Sequence, residues 1–164
     1  MDLLQNLQSF TASLPPALQF VGVLVASLVP YVEGEGAAII GIAAGISPWL
    51  SIPVAILGNV LIVALIVLFF ERIRTAVISR RAARGKTAAP RTKRQQKVRR
   101  AFERFGVPGV SLLGPFLLPT HFTAAALVSF GVGKGYVLLW QTVAIVLYAG
   151  VFGALAYAVV GAVA

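Results

Sequence analysis

The sequence predicts an all-α integral membrane protein made of two inverted repeats, each a re-entrant helical hairpin followed by a transmembrane helix. Three observations carry this reading. Of 164 residues, 59% are apolar and 12% charged, against roughly 45–50% and 25% in soluble domains, and the mean hydropathy is +0.90. Thirteen of the fourteen Lys and Arg lie between Arg72 and Arg104, so that window carries +12 once Glu103 is counted and the rest of the chain −3. Finally, the order short apolar arm, polar break, short apolar arm, full-length span occurs twice, once on each side of the basic window. The net charge of +9 therefore belongs to one segment. With no stacking aromatics or recognition module beside it, a nucleic-acid partner is not expected. The absence of cysteine excludes disulfides and thiolate chemistry.

Residues 1–14 place Leu3, Leu4, Leu7 and Phe10 at helical spacing between polar residues, the pattern of an amphipathic helix in the membrane interface. Pro15 and Pro16 end it. No basic n-region or cleavage site precedes it, so a secretory signal is not expected. Residues 17–50 form two apolar arms around Glu33-Gly34-Glu35-Gly36. Neither arm reaches the roughly 20 residues that cross a bilayer. One straight helix would be too long and would hold two carboxylates at its middle, so a hairpin with both ends on one side is expected. Residues 52–71 are the first full span, which ends at Arg72. Residues 72–104 form a basic loop that the positive-inside rule places in the cytoplasm. Within it, 85–90 read as flexible. Residues 93–105 read as a helix with Val98, Phe102 and Phe105 on one side, resting on anionic lipid. Residues 105–133 form the second re-entrant hairpin, broken at Pro119-Thr120-His121, and 135–162 the closing span. Both termini are then external.

At an offset of 85, Val29-Pro30-Tyr31 falls on Gly114-Pro115-Phe116 and Gly34-Glu35-Gly36 on Pro119-Thr120-His121. One residue of slip brings Gly45-Ile46-Ser47 onto Gly131-Val132-Gly133. The first unit starts outside and the second from the cytoplasm, so the two are inverted. Inverted repeats with broken helices mark secondary transporters, whose sites lie near the bilayer midplane.

Non-helical backbone at membrane depth must be buried in protein or line a cavity. Ionisable side chains there are functional candidates by default. The first break supplies Glu33 and Glu35, the second Thr120, His121 and Thr123, and the first full span adds Asn59. Two carboxylates so close in a partly dry site do not both ionise easily, which offers a proton site, with His121 as a relay. Other readings stay open. The Glu33–Gly36 tip at the aqueous interface would leave both acids solvated, and Thr120 would serve as an N-cap for an arm beginning at Phe122. Helix starts near Gly36 and Phe122 favour an anion, whereas the glutamates favour a cation. Asn59 and Gln141 also suit interhelical hydrogen bonding. Gly41, Ala43, Ala44, Gly45, Gly150 and Gly153 suit close packing within the bundle or across a dimer. No hydrolase or transferase constellation, phosphate loop or metal-ligand spacing is visible, so neither an enzyme nor a bound cofactor or metal is expected.

Val29-Pro30-Tyr31-Val32-Glu33-Gly34-Glu35-Gly36, Leu57-Gly58-Asn59, Phe70-Glu71-Arg72-Ile73 and Phe105-Gly106-Val107-Pro108-Gly109 resemble the small multidrug export (small multidrug efflux) family, itself similar to the DedA, or SNARE-associated/VTT, superfamily. The resemblance covers residues 25–160. It implies paired re-entrant hairpins, each followed by a span, and links the chain to lipid scrambling, polyprenyl-phosphate recycling or drug resistance driven by the proton gradient. The chain departs from DedA-like proteins in lacking arginine in the second re-entrant segment, where Gly114–His121 supplies proline and histidine. It also has Glu35 where small-export members often have a basic residue. The resulting expectation is a proton-coupled plasma-membrane transporter, homodimeric, moving an amphipathic small molecule or lipid. A lipid flippase or scramblase without proton coupling is the alternative. A non-transporting scaffold that recruits anionic lipid through the basic loop is another.

Overall fold

The computed structural model describes residues 3–83, 105–116 and 118–163, and all regular elements among them are helices. They are α1 (Leu3–Ser13), a 3-10 turn (Pro16–Leu18), α2 (Gln19–Ser27), α3 (Glu33–Ala43), α4 (Pro48–Ala83), α5 (105–113), a 3-10 turn (Gly114–Phe116), α6 (Thr120–Ser129) and α7 (Lys134–Val163). Two of these contain stretches long and apolar enough to cross a membrane, Pro48–Arg80 and Lys134–Ala162. The flexible stretch expected at 85–90, and the expected helix over 93–105 apart from Phe105 itself, lie outside the described residues.

Two compact units divide the chain, and the division passes through α4 and α7: Met1–Ile62 with Thr142–Ala164, and Val63–Gln141. In the first unit, Val23, Ala26, Val32, Ala37, Ala38, Ile40, Ile46 and Ala55 form the core, and Leu7, Val29, Ile52 and Val54 pack on it. Of the apolar stripe on α1, only Leu7 reaches this core; Leu3, Leu4 and Phe10 stay exposed. Thr11 of α1 lies against Gly22 of α2. α2 and α3 both lean on α4. Gly41 of α3 faces Val23 and Ser51, whose hydroxyl donates to the Ala38 carbonyl at 3.0 Å, and Gly58 faces Leu24 and Ser27 of α2. Gly153 of α7 packs on Ile52 and Ala38.

In the second unit, Val67, Val107, Val110, Leu127, Val128 and Val137 are buried. Gln141 of α7 donates to Ser111 of α5 at 3.4 Å, the interhelical bond its sequence position suggested. Lys134 pairs with Glu71 at 3.0 Å, so the start of α7 lies beside α4 where its apolar run ends.

Several boundaries differ from the sequence reading, each for a physical reason. Glu33–Gly36 is not the first break but the opening turn of α3, and the non-helical link is 28–32. Pro30 lies in that link, and without an N–H it cannot continue the α2 ladder. The polar residues then begin the next helix. Likewise Thr120 and His121 open α6, and the break before them closes on Pro119. The first long helix is not confined to 52–71. It starts at Pro48, where a missing N–H is harmless, and runs on to Ala83. Arg, Ala, Val and Ile past the apolar run still favour or tolerate helix, so charge ends the apolar run without ending the element.

α3 and α6 end alike. Ile46 N–H bonds to Gly41 and Gly45 N–H to Ile42; Val132 N–H bonds to Leu127 and Gly131 N–H to Val128. Each pair is a Schellman cap, and every position of the second is 86 further on (41 to 127, 45 to 131). Both cap glycines are left-handed, with φ +88 and +95. Nothing stands within 4 Å of a methyl placed on Gly45, so Gly45→Ala carries the backbone penalty alone, about 1–2 kcal/mol. We expect it to lower the melting temperature in detergent by several degrees. An unchanged melting curve would contradict the left-handed assignment.

Candidate functional site

The chain between α2 and α3 turns on the Val29 carbonyl, which accepts from Val32 N–H at 3.1 Å and Glu33 N–H at 3.0 Å. Two non-glycine residues here are left-handed, Tyr31 at φ +73 and Glu33 at +53, each at a cost of about 1–2 kcal/mol. Strain of this kind persists only where the surroundings enforce it, often at functional positions. Glu33 is 2% exposed. With Glu35 it occupies the first turn of α3, where the helix dipole favours negative charge.

Gly34 faces both long helices. A methyl placed on it would stand 3.4 Å from the Asn59 amide nitrogen, from Ile145 and from Ala149. Asn59 is fully buried, and neither its amide nitrogen nor its oxygen has a hydrogen-bond partner. Glu35 is half-buried. Glu33 and Glu35 thus flank the glycine that faces Asn59, and all four residues belong to the first unit.

Thr120, His121 and Thr123 form a second set in the other unit, on the first turns of α6, and all three are buried. Thr120 is not the N-cap. Pro119 holds that position at φ −51 and ψ 147, and its carbonyl accepts from Phe122 N–H, Thr123 N–H and the Thr123 hydroxyl at 3.0, 3.1 and 3.3 Å. Proline sets the cap because its fixed φ suits an extended residue before a helix. Gly114 leaves room for Thr123, whose hydroxyl would lie 3.2 Å from a methyl there. Nearby in sequence, the Trp140 indole nitrogen and the Gln141 amide oxygen are buried without partners.

Among the described residues no three His, Asp or Glu side chains converge as a metal site would need. An open groove along α4, lined by Leu65, Ile66, Leu68, Phe69 and Arg72, holds none of the predicted site residues. Sequence reasoning missed Ile145 and Ala149 as neighbours of Gly34. One signal could have found them: Ile145 and Ala149 lie near the middle of the closing span, as Asn59 lies near the middle of the first.

A family model described as "Putative small multi-drug export protein" matches residues 33–152, which include both sets of site residues. No curated protein and no solved structure matches the chain.

Proposed function

The chain belongs to the small multi-drug export family, and from that premise we propose that it is a membrane transporter that couples proton movement to export of an amphipathic substrate, with Glu33 as the proton-carrying group. The observation that carries this reading is that Gly34 faces the middle of both long helices. Trp49, 89% exposed at the start of α4, has the character of an interfacial anchor, and Glu71 and Arg72 mark the far edge. At 1.5 Å per residue these positions are about 33 Å apart, close to the thickness of a bilayer core, and Asn59 is next to their midpoint. On α7, Lys134 and Tyr157 bracket a similar length, centred near Ile145. Gly34 faces Asn59 and Ile145 together, each 3.4 Å from a methyl placed on it.

A tip level with both midpoints favours a re-entrant first hairpin and a buried carboxylate at mid-depth over a tip solvated at the interface. The recurrence of the same helix cap 86 residues on favours a second hairpin of the same kind. The Glu71–Lys134 pair supports a second hairpin that returns to the side it started from. By the positive-inside rule that side is the cytoplasm. A buried acid at mid-depth that gains and loses a proton couples a pH gradient to a conformational change, because its charged form is costly in lipid and its neutral form is not.

Purified protein in liposomes should move substrate when a pH gradient is imposed. Lipid translocation indifferent to that gradient would favour the scramblase reading instead. The depth argument has its own check. The chain has no cysteine, so single cysteines report cleanly. Cysteine at Glu33 should resist a membrane-impermeant maleimide in open membrane sheets accessible from both faces, whereas cysteine at Trp49 or Lys86 should react. Rapid labelling at Glu33 would place the tip in water.

A further inference from the structure

The apolar run of α4 ends on three charged residues that point to different places. Glu71 pairs with Lys134 at 3.0 Å. The Arg74 guanidinium lies against Gly131, one of its nitrogens 2.7 Å from a methyl placed there. Arg72 instead closes one end of the open groove, about 570 Å³ in volume, whose other walls are Leu65, Ile66, Leu68 and Phe69. Its neighbouring acid, Glu71, is already engaged by Lys134. Leu65, Leu68, Phe69 and Arg72 follow the i, i+3, i+4, i+7 spacing of one helix face. Leu65, Leu68 and Phe69 are exposed, while Val63 and Val67 on the opposite side are buried. The Phe69 ring meets Phe70 edge-to-face, with centroids 5.9 Å apart, a favourable contact that orients this wall.

Shape and charge together select the occupant. From Leu65 to Arg72 the groove runs about 10 Å along the helix, two thirds of one leaflet's share of a hydrocarbon core roughly 30 Å thick. It lies on a helix long and apolar enough to cross a membrane. What fills it is apolar over that length and anionic at the end. A second copy packed groove to groove in the same orientation would bring two Arg72 side chains together. The chain's own basic window, where Glu103 is the one acid, has the same sign as Arg72 and is repelled by it. A lipid of the inner leaflet meets both demands, and the guanidinium fork matches a phosphate in two parallel bonds, as a lysine cannot. By the positive-inside rule Arg72 faces the cytoplasmic leaflet, where anionic lipids concentrate. We propose that the groove on α4 binds the acyl chain of an anionic phospholipid whose phosphate is held by Arg72. This site is apart from the surface attraction expected of the basic window, and neither Glu33 nor transport enters it.

Phe69→Trp places a fluorophore in the groove. The full chain with this change is put in phosphatidylcholine nanodiscs, and the emission of Trp49 and Trp140 in the parent chain is subtracted. Quenching by phosphatidylglycerol with brominated chains, compared with phosphatidylcholine brominated in the same way, gives the relative affinity of the two lipids at this position. Phosphatidylglycerol should bind at least about fivefold more tightly, the weight of one cation near the membrane surface. Arg72→Gln should bring the ratio to one, and Arg72→Lys should fall between. Lys97→Gln in the basic window should leave the ratio unchanged, and millimolar inorganic phosphate should not displace the lipid. If the reporter variant fails to fold, the unaltered chain, Arg72→Gln and Phe69→Ala are compared by mass spectrometry of the lipid retained in detergent. Both variants should then lose phosphatidylglycerol selectively. A ratio of one in the reporter chain, a ratio that survives Arg72→Gln, an equal loss with Lys97→Gln, displacement by phosphate, or unchanged retention in both detergent variants would overturn the site. Absence of quenching by either brominated lipid would show the groove covered by protein and would overturn it equally.

Discussion

Glu33→Gln is expected to reduce pH-gradient-driven transport to the level of protein-free liposomes while the protein remains folded. The substitution keeps the side-chain length and resembles the protonated acid, but the amide cannot ionise or exchange a proton. Glu33 is the right place for so large an effect. It is 2% exposed, follows the non-helical link, and precedes the glycine that faces Asn59 and Ile145. Glu35 is half-buried and can exchange with water more readily, so Glu35→Gln should lower the rate far less. Aspartate tolerates the left-handed backbone at φ +53 better than most residues but draws the carboxyl back by one methylene. Glu33→Asp should therefore fold normally and transport at an intermediate rate. Rates are read from substrate flux under an imposed gradient, normalised to monodisperse protein. Undiminished flux in Glu33→Gln and in the Glu33→Gln, Glu35→Gln double variant would remove this carboxyl from the mechanism.

The helical class and the two long apolar helices were legible because hydropathy and length alone decide them. The breaks were not, and the reason is specific. Hydropathy finds polar residues, so the first break was expected at Glu33–Gly36 and the second at Pro119–His121. The backbone yields at proline instead: Pro30 lies in one link and Pro119 closes the other, and the polar residues follow as the first turn of a new helix. The same logic separates charge from helix ends. Arg72 marks an edge of the apolar run, yet α4 continues to Ala83. The one-residue slip that paired Gly45-Ile46-Ser47 with Gly131-Val132-Gly133 is the same 86-residue spacing at which the two helix caps fall.

Glu33 and Asn59 stood out in sequence as polar groups within apolar segments. The way Gly34 faces Asn59, Ile145 and Ala149 together did not. α3 and α7 carry no apolar stripe, being apolar nearly all round, so periodicity cannot say which face meets which neighbour. Small residues gave the better clue. Gly41 and Gly153, taken as packing positions without an assigned partner, each face a named one, whereas Gly150 has nothing within 4 Å.

Gly58→Leu should prevent the first unit from assembling, with folded yield after detergent extraction falling to a small fraction of wild type. The crossing of α2 and α4 at this glycine is a backbone contact. A methyl here would overlap the Ser27 hydroxyl and lie 3.1 Å from the Leu24 carbonyl oxygen and side chain. The hydroxyl is already committed to that same carbonyl at 2.7 Å, so it has little freedom to move aside. Overpacking by a few atoms typically costs 1–3 kcal/mol where the neighbours can shift. A leucine demands that α2 move bodily away from α4, a change comparable with the whole stability of a domain. Because α2 carries the link to Glu33, displacing it also moves the carboxyl from its depth, so any surviving protein should be transport-defective. A graded pair separates packing from a general intolerance of side chains in the helix. Gly58→Ala should destabilise by roughly 1–3 kcal/mol, and adding Ser27→Ala, which removes the nearest obstruction, should restore part of the loss as a positive coupling between sites in contact. Gly150→Leu on α7, where the space is open, should leave monomer yield near wild type. Normal folding of Gly58→Leu, or additive effects of Gly58→Ala and Ser27→Ala, would show that α2 does not pack on α4 at this point and would remove the support that holds the hairpin tip beside Asn59.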